Sequence, residues 1–414
     1  MAKRTFSNTL YTNDNLYVLS GMNSETVDLI YLDPPFNSKR LHSAPIGSKA
    51  AGASFKDIWT WKDVDEYHLE TLADKFPALA KYIASVGAIY SKPMMAYLTY
   101  MAQRIVEMHR VLKETGSLYL HCDPNASHFL KGLLDAVFGK KNFRNEILWC
   151  YTGPGSPGMR QFNRKSDHIF WYSKGKKWTF NKDAVRMPYK DQNQTFRKIF
   201  DTKGGWTKKD VEELRKKGKV PENWWTDIAI VARSKKENTG YPTQKPLKLL
   251  RRIIEASSNE GDVILDPFCG CATTCVAAQK LFRKWIGIDL ETNVVNILIE
   301  RLSDAAGLFK DFMATDQIPK RTDLKIALPT QSIKGRLYKE QDGKCNGCSK
   351  DFDIWNLTID HIIPKAKGGG DYYENYQLLC VNCNSIKGDR PMEFLRMKID
   401  TRARMLKTQI IFGE

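Results

Sequence analysis

Asp33-Pro34-Pro35-Phe36 follows the apolar run Val27-Asp28-Leu29-Ile30-Tyr31-Leu32. An acid at the carboxyl end of a buried strand stands where open α/β sheets bind ligands. Two consecutive prolines fix the following backbone and remove its N–H donors, which leaves a carbonyl facing outward beside the Asp33 carboxylate. Such a pair can accept both hydrogen bonds of an exocyclic amino group. The nitrogen lone pair is then drawn out of ring conjugation and becomes nucleophilic. Phe36 adds a flat face for a planar base. The same four residues would also suit an ordinary turn after a strand, so the reading needs a second feature.

Ile264-Leu265-Asp266-Pro267-Phe268-Cys269-Gly270-Cys271-Ala272-Thr273-Thr274 supplies it, as a strand, a tight turn and a helix start. Glycine lets the backbone approach a ligand closely. About twenty residues on, Gly287-Ile288-Asp289 places a carboxylate at the end of the next strand, where it can bind ribose hydroxyls. Together these features imply a nucleotide-like cofactor. Cys269, Cys271 and Cys275 sit too close along the turn for a tetrahedral metal site and read as small buried residues.

Cys345-x-x-Cys348 and Cys380-x-x-Cys383 are different. Two CxxC knuckles with a spacer of about 30 residues read as a structural tetrahedral zinc site. The single histidine of this module, His361, follows Asp360 in the strand-like run Leu357–Pro364. A lone histidine is more often a satisfied structural residue than a catalyst. Here an adjacent acid, three glycines at 368–370, Asn375, Asn384 and Lys387 accompany it in order.

For these groups to meet, several strands must end side by side. Leu98, Met101, Ile105, Met108 and Leu112 follow helical spacing. Gly116–Leu120 reads as the next strand and residues 125–138 as the next helix. The rhythm returns after 241. Leu247, Leu250, Ile253 and Ile254 mark a helix, Val263–Leu265 a strand, a helix begins at about 273, and Lys284–Ile288 is another strand. The alternation predicts an α/β fold, a Rossmann-like doubly wound parallel sheet. Residues 37–62, rich in Gly, Ser and Ala, read as a mobile loop, and residues 317–335 as the passage into the cysteine module.

The chain has 414 residues, 42% hydrophobic, with 64 Lys+Arg against 47 Asp+Glu and a net charge of +17. This composition excludes disordered, fibrous and disulfide-dense classes. No run approaches the roughly 18 apolar residues of a membrane span, and the N-terminus lacks a signal-peptide core. No membrane partner and a cytoplasmic location are expected. Residues 139–219 hold 21 basic and 8 acidic residues, a net of +13. A charge run is usually a solvated face. This one is interleaved with Trp171, Tyr172, Trp178, Phe180, Phe196, Phe200 and Trp206, with Trp224 and Trp225 beyond. Basic groups neutralise phosphates and aromatic faces stack on bases, which favours nucleic acid. Lys174, Lys176, Lys177 and Arg186 are the expected DNA contacts.

Residues 1–320 resemble S-adenosylmethionine-dependent amino-group DNA methyltransferases. Asp33–Phe36 matches the catalytic motif, Asp266-Pro267-Phe268-x-Gly270 the cofactor loop, and Tyr241-Pro242-Thr243-Gln244-Lys245-Pro246 the segment before it. The catalytic motif precedes the cofactor motif, as in the permuted β-type arrangement, whose intervening segment recognises the target. The resemblance implies a flipped base, with Asp33 and the Pro34 carbonyl holding the amino group, Pro35 fixing the turn and Phe36 stacking. The leading Asp resembles adenine-N6 enzymes, with N4-cytosine as the alternative. For the cofactor it implies Asp14, Thr243, Gln244, Lys245, Pro246, Asp266, Pro267, Phe268, Gly270, Thr273 and Asp289. Ala272 departs from the family, which commonly has glycine there.

Residues 336–392 resemble the zinc-stapled HNH endonucleases, a ββα-metal module. The resemblance implies His361 as the base that activates water, Asn375 orienting it, Asp360 and Asn384 holding Mg²⁺, Lys387 touching phosphate, and the four cysteines holding zinc. The expected division is a catalytic half at 1–140, a target-recognition region at 141–240 and a cofactor-binding half at 241–320. A linker at 321–335, the HNH module at 336–395 and a tail at 396–414 complete it. The function so implied is a bifunctional enzyme on double-stranded DNA, of a restriction-modification or phage-like kind. The module itself, with 13 basic and 11 acidic residues over 336–414, needs the rest of the chain to hold DNA. One nuclease centre cuts one strand at a time, so double-strand cleavage would call for a homodimer or two visits. The alternatives are a methyltransferase whose zinc module only binds DNA, a DNA-binding protein with both sites inactive, and an RNA substrate.

Overall fold

The computed structural model describes residues 8–36, 40–45, 48, 50, 54–57, 72, 76–153, 160–189, 207–231, 237–303, 312–323, 333–370 and 372–400. Phe196, Phe200, Trp206, much of the 37–62 loop and the tail beyond 400 lie outside these residues. Among the described residues no helix is long and apolar enough to cross a membrane.

Thirteen strands are described: β1 (Thr9–Thr12), β2 (Val27–Leu32), β3 (Arg40–Ser43), β4 (Ser54–Asp57), β5 (Leu112–Cys122), β6 (Phe143–Cys150), β7 (Ser166–Ser173), β8 (Trp224–Trp225), β9 (Val263–Asp266), β10 (Lys284–Asp289), β11 (Met313–Thr315), β12 (Leu357–His361) and β13 (Tyr376–Cys380). Nine of them form one sheet in the order β11-β1-β10-β9-β2-β5-β7-β6-β8. From β11 to β5 every pairing is parallel, while β7 runs antiparallel to both β5 and β6. The apolar residues of β2, Leu29, Ile30, Tyr31 and Leu32, are all buried, as a strand covered on both faces requires. Helices Lys92–Val111 and Ser127–Phe138 bury one layer of core, and Leu247–Ser257 and Thr273–Lys280 the other. The doubly wound sheet is therefore the one expected.

The expected boundary at residue 141 falls inside this sheet. β6 and β7 extend it, and Trp171 and Tyr172 are buried in β7 rather than offered to bases. The physical reason is that β-branched and aromatic residues build sheets as readily as they stack on ligands. β1, which the sequence reading did not anticipate, fits between β10 and β11.

The C-terminal module is a small ββα unit: the antiparallel pair β12–β13 followed by the helix Val381–Lys387. It rests on the helix Asn15–Gly21. The Tyr17 ring meets Phe352 edge-on at 5.3 Å, and the Asn356 amide donates to Ser20 Oγ at 2.5 Å. A side chain at Gly21 would collide with the Pro319 carbonyl, 1.9 Å from its Cβ position.

Candidate active sites

β2, β9 and β10 end beside one another, and a cavity of about 420 Å³ opens at their carboxyl ends. Asp33–Phe36, Thr243–Lys245, the 266–274 turn and Asp289 all line it. Asp33 Oδ2 pairs with Lys245 Nζ at 2.7 Å, with only 14% and 11% of the side chains exposed. Asp33 Oδ1 is buried and has no hydrogen-bond partner. The Lys245 ammonium stands 5.4 Å from the Phe36 ring centroid. Lys245, expected at the cofactor, is thus first of all the ionic partner of Asp33. The sequence could not pair them, because 211 intervening residues fold before they meet.

The cofactor turn is held by its own acids. Asp266 accepts from Phe268 N at 3.1 Å and Thr274 Oγ1 at 2.5 Å, and burial pushes its carboxyl up to about 7. Asp289 accepts from Gly270 N at 2.7 Å and Glu291 N at 3.0 Å, and burial raises it to about 6. Gly270 has φ +50, and a Cβ there would lie 3.1 Å from the Tyr241 ring. Ala272 also adopts a left-handed conformation, φ +58. This is why glycine is favoured at that position; alanine there costs roughly 1–2 kcal/mol. Thr273 lines the cavity, and its hydroxyl accepts from Arg301 at 2.9 Å.

Two expected cofactor contacts lie off the cavity, and a third lines it with its amide engaged by neighbouring residues. Asp14 does not line the cavity. It caps the helix Asn15–Gly21 and pairs with Arg104 at 2.9 Å, while its neighbours Asn13 and Asn15 face the cavity. An Asx N-cap is a strong local demand on a short helix, and it gives Asp14 a structural role of its own. Pro246 precedes the helix Leu247–Ser257 and lies off the cavity. Gln244 lines it, but its amide is spent on Thr239 and the Glu237 carbonyl, which pins the 239–245 segment.

In the C-terminal module the sulfur atoms of Cys345, Cys348, Cys380 and Cys383 all lie within 4.8 Å of one another. Hydrogen bonds from Cys348, Cys380 and Cys383 hold the Cys345 thiol well below the usual range. The donor set and its compactness fit one tetrahedral zinc ion. Asp360 and His361 end β12. The Asp360 carboxylate accepts from Gln377 at 2.8 Å and pairs with Lys387 at 3.0 Å.

Lys387 is fully buried and also donates to the His361 carbonyl at 2.8 Å, so it cannot be the phosphate contact expected of it. Asn375, buried, accepts from Ile363 N at 2.9 Å and donates to the Ile363 and Gly370 carbonyls. It therefore shapes the loop after His361. Asn384 donates to Thr358 Oγ1 at 3.2 Å, on the side of β12 that also carries Asp360.

The expected DNA contacts divide by position. β7 runs antiparallel to β5, so Lys174, Lys176 and Lys177 follow the end of β7 that lies opposite the catalytic corner. Lys174 donates to the Leu112 carbonyl at 2.8 Å, and Arg186 to Asp183 and the Gly218 carbonyl. Arg160 and Arg164, exposed in the connection from β6 to β7, lie at the catalytic end instead, with Phe162 between them wholly exposed. Strand direction, which the sequence reading did not resolve, would have separated the two groups.

The DNA methylase family model matches residues 27–300, and the HNH endonuclease model matches residues 345–390. The chain is 30% identical over 328 residues to the DNA adenine methyltransferase YhdJ of Escherichia coli, covering 78% of this chain and 93% of that one. It is 32% identical over 234 residues to the type II methyltransferase M.HpaI of Haemophilus parainfluenzae, covering 56% and 67%. A solved structure of M1.HpyAVI with S-adenosylmethionine aligns with TM-score 0.41 and 19% identity, over 71% of this chain and 98% of that one. The chain belongs to the N6/N4 DNA methylase family and carries a C-terminal HNH endonuclease domain.

Proposed function

We propose that this protein methylates the exocyclic amino group of a flipped base in double-stranded DNA, adenine N6 by preference, and that its HNH domain cuts DNA. The carrying observation is the Asp33 carboxylate. Lys245 engages one oxygen and leaves the other buried and unpaired, on a residue that lines the cavity together with Phe36. A buried acceptor without a partner is costly unless a ligand supplies the donor. An amino N–H is such a donor, and the Pro34 carbonyl accepts the second N–H. Methyl transfer leaves an extra proton on the nitrogen, which the Asp33 carboxylate would take up.

S-adenosylmethionine, when bound, supplies an electrophilic methyl group. Gly270 would allow it close backbone approach and Asp289 would accept its hydroxyls. Adenine over cytosine is supported by the leading Asp and by the adenine methyltransferase named above.

In the HNH domain His361 takes a proton from water. Asp360 and Asn384 would hold Mg²⁺, which stabilises charge on the phosphate. A carboxylate offers about four acceptor sites, so the contacts from Lys387 and Gln377 leave room for a cation. Zinc on the four cysteines is structural. Double-strand cleavage would require a homodimer or two visits. A restriction-modification setting fits relatives that include M.HpaI.

Single-molecule sequencing of DNA from expressing cells should show N6-methyladenine at one sequence context. Plasmid incubated with Mg²⁺ should be nicked or cut by the wild type and not by His361→Ala. Unmodified DNA, or equal cleavage by both proteins, would overturn the respective half.

A further inference from the structure

A buried polar chain runs behind the cavity from the catalytic strand to the β6–β7 hairpin. Tyr31, two residues before Asp33 on β2, places its hydroxyl 2.8 Å from His121 Nδ1 on β5. His121 Nε2 lies 3.0 Å from Asp167 Oδ2 on β7. Tyr151, just beyond β6, donates to Asp167 Oδ1 at 3.1 Å. His121 is fully buried and does not line the cavity. Its ring lies nearly parallel to Phe36, with centroids 6.4 Å apart and planes at 23°, while Trp149 meets it edge-on at 5.8 Å.

A sheet interior does not require these groups. On the opposite face of β5, Leu118 and Leu120 are apolar and fully buried. Burying a histidine and a carboxylate costs free energy unless every donor and acceptor is satisfied, and a satisfied network fixes one arrangement. This network is satisfied, and it lies at the carboxyl ends of β2 and β5. One end is the strand that presents Asp33. The other is the hairpin whose connection exposes Arg160 and Arg164. The middle ring supports Phe36.

We infer that His121 and Asp167 are positioning residues for methyl transfer, which lock the β6–β7 hairpin in register with Phe36 and Asp33. The inference rests on the amino-group methyltransferase reading above. Neither residue touches the base. Burial by itself would raise the Asp167 carboxyl, but hydrogen bonds from His121 and Tyr151 and the charge of Lys245 outweigh it and hold it below the usual range. An ionised Asp167 requires a proton on His121 Nε2 and so sets the plane of the imidazole. Without Asp167 the ring is free to turn, Phe36 loses its parallel support, and the base and Asp33 fall out of register.

The test measures single-turnover methylation, cofactor Kd, duplex Kd and the fluorescence of 2-aminopurine at the target position. It compares wild type with Asp33→Ala, Asp167→Ala and Asp167→Asn. Misplacement by about 1 Å costs about 100-fold in rate, and a loss of that order is expected for Asp167→Ala, with a weakened flipping signal. Cofactor and duplex Kd should stay within about twofold, since His121 and Asp167 do not line the cavity. Asp167→Asn retains an acceptor oxygen and should recover most of the rate. An unchanged rate in Asp167→Ala would overturn the inference. So would a loss that tracks cofactor affinity and thermal stability and is not rescued by Asn, because that is a structural role. If Asp33→Ala methylates normally, the underlying reading fails instead.

Discussion

The two catalytic regions each bury an aspartate against a lysine, and the pairs differ in what they leave open. In the methyltransferase half, Lys245 takes one oxygen of Asp33 and the other is unpaired beside the cavity. In the HNH domain, Lys387 lies beneath Asp360, wholly buried, and Gln377 adds a second donor to the same carboxylate. The first arrangement leaves one acceptor without a donor, as the proposed capture of an amino group requires. The second ties a strand end to the helix that carries Cys383. The same kind of ion pair leaves one carboxylate oxygen without a partner in one place and ties two elements together in the other.

Breaking the second pair should have the largest effect on folding. Lys387→Met leaves the buried Asp360 charge uncompensated, which costs about 3–5 kcal/mol. The HNH domain should lose its cooperative transition in calorimetry while methylation persists. Removing zinc with a chelator should unfold the same domain, because in small metal domains the binding free energy is folding free energy. Circular dichroism after chelation should show this loss and its recovery on adding zinc.

At the first pair, Lys245→Met should leave the protein folded, since Lys245 opens onto the cavity. Losing the group that holds Asp33 should slow methyl transfer about 10- to 100-fold with a smaller change in cofactor Kd, measured by single-turnover kinetics and calorimetry. Cofactor affinity should also report Asp289. Its carboxyl titrates near 6, and hydroxyl donors favour the ionised form, so Kd should weaken by up to about tenfold per pH unit below that value and level off above it. The smallest effects concern the basic surface. Arg164→Ala at the catalytic end should weaken duplex binding by several-fold, whereas Lys176→Ala on the far side should change it little. The reverse order would place the DNA on the other edge of the sheet.

Much of this was legible in the sequence. β2, β9, the helix Leu247–Ser257 and the two CxxC knuckles fall where spacing and composition put them, because each is specified by residues close along the chain. The Asp33–Lys245 pair was not legible, since it depends on two distant segments meeting at one sheet edge. The misplacement of Lys174 and Lys387 has one cause. Charge in a sequence carries no direction, and only the relative direction of β5 and β7, or the burial of Lys387, shows which lysines face solvent at the site. Trp171 is ambiguous in the sequence because its aromatic character serves a base-stacking surface and a sheet core equally well.

The central claim is that Asp33 Oδ1 receives an amino N–H of the target base. The most direct test is single-turnover methylation of a duplex containing the target by wild type and Asp33→Ala, with cofactor binding measured on the same samples. The account predicts that Asp33→Ala binds cofactor within about twofold of wild type and transfers no measurable methyl group. Methylation at the wild-type rate would contradict it.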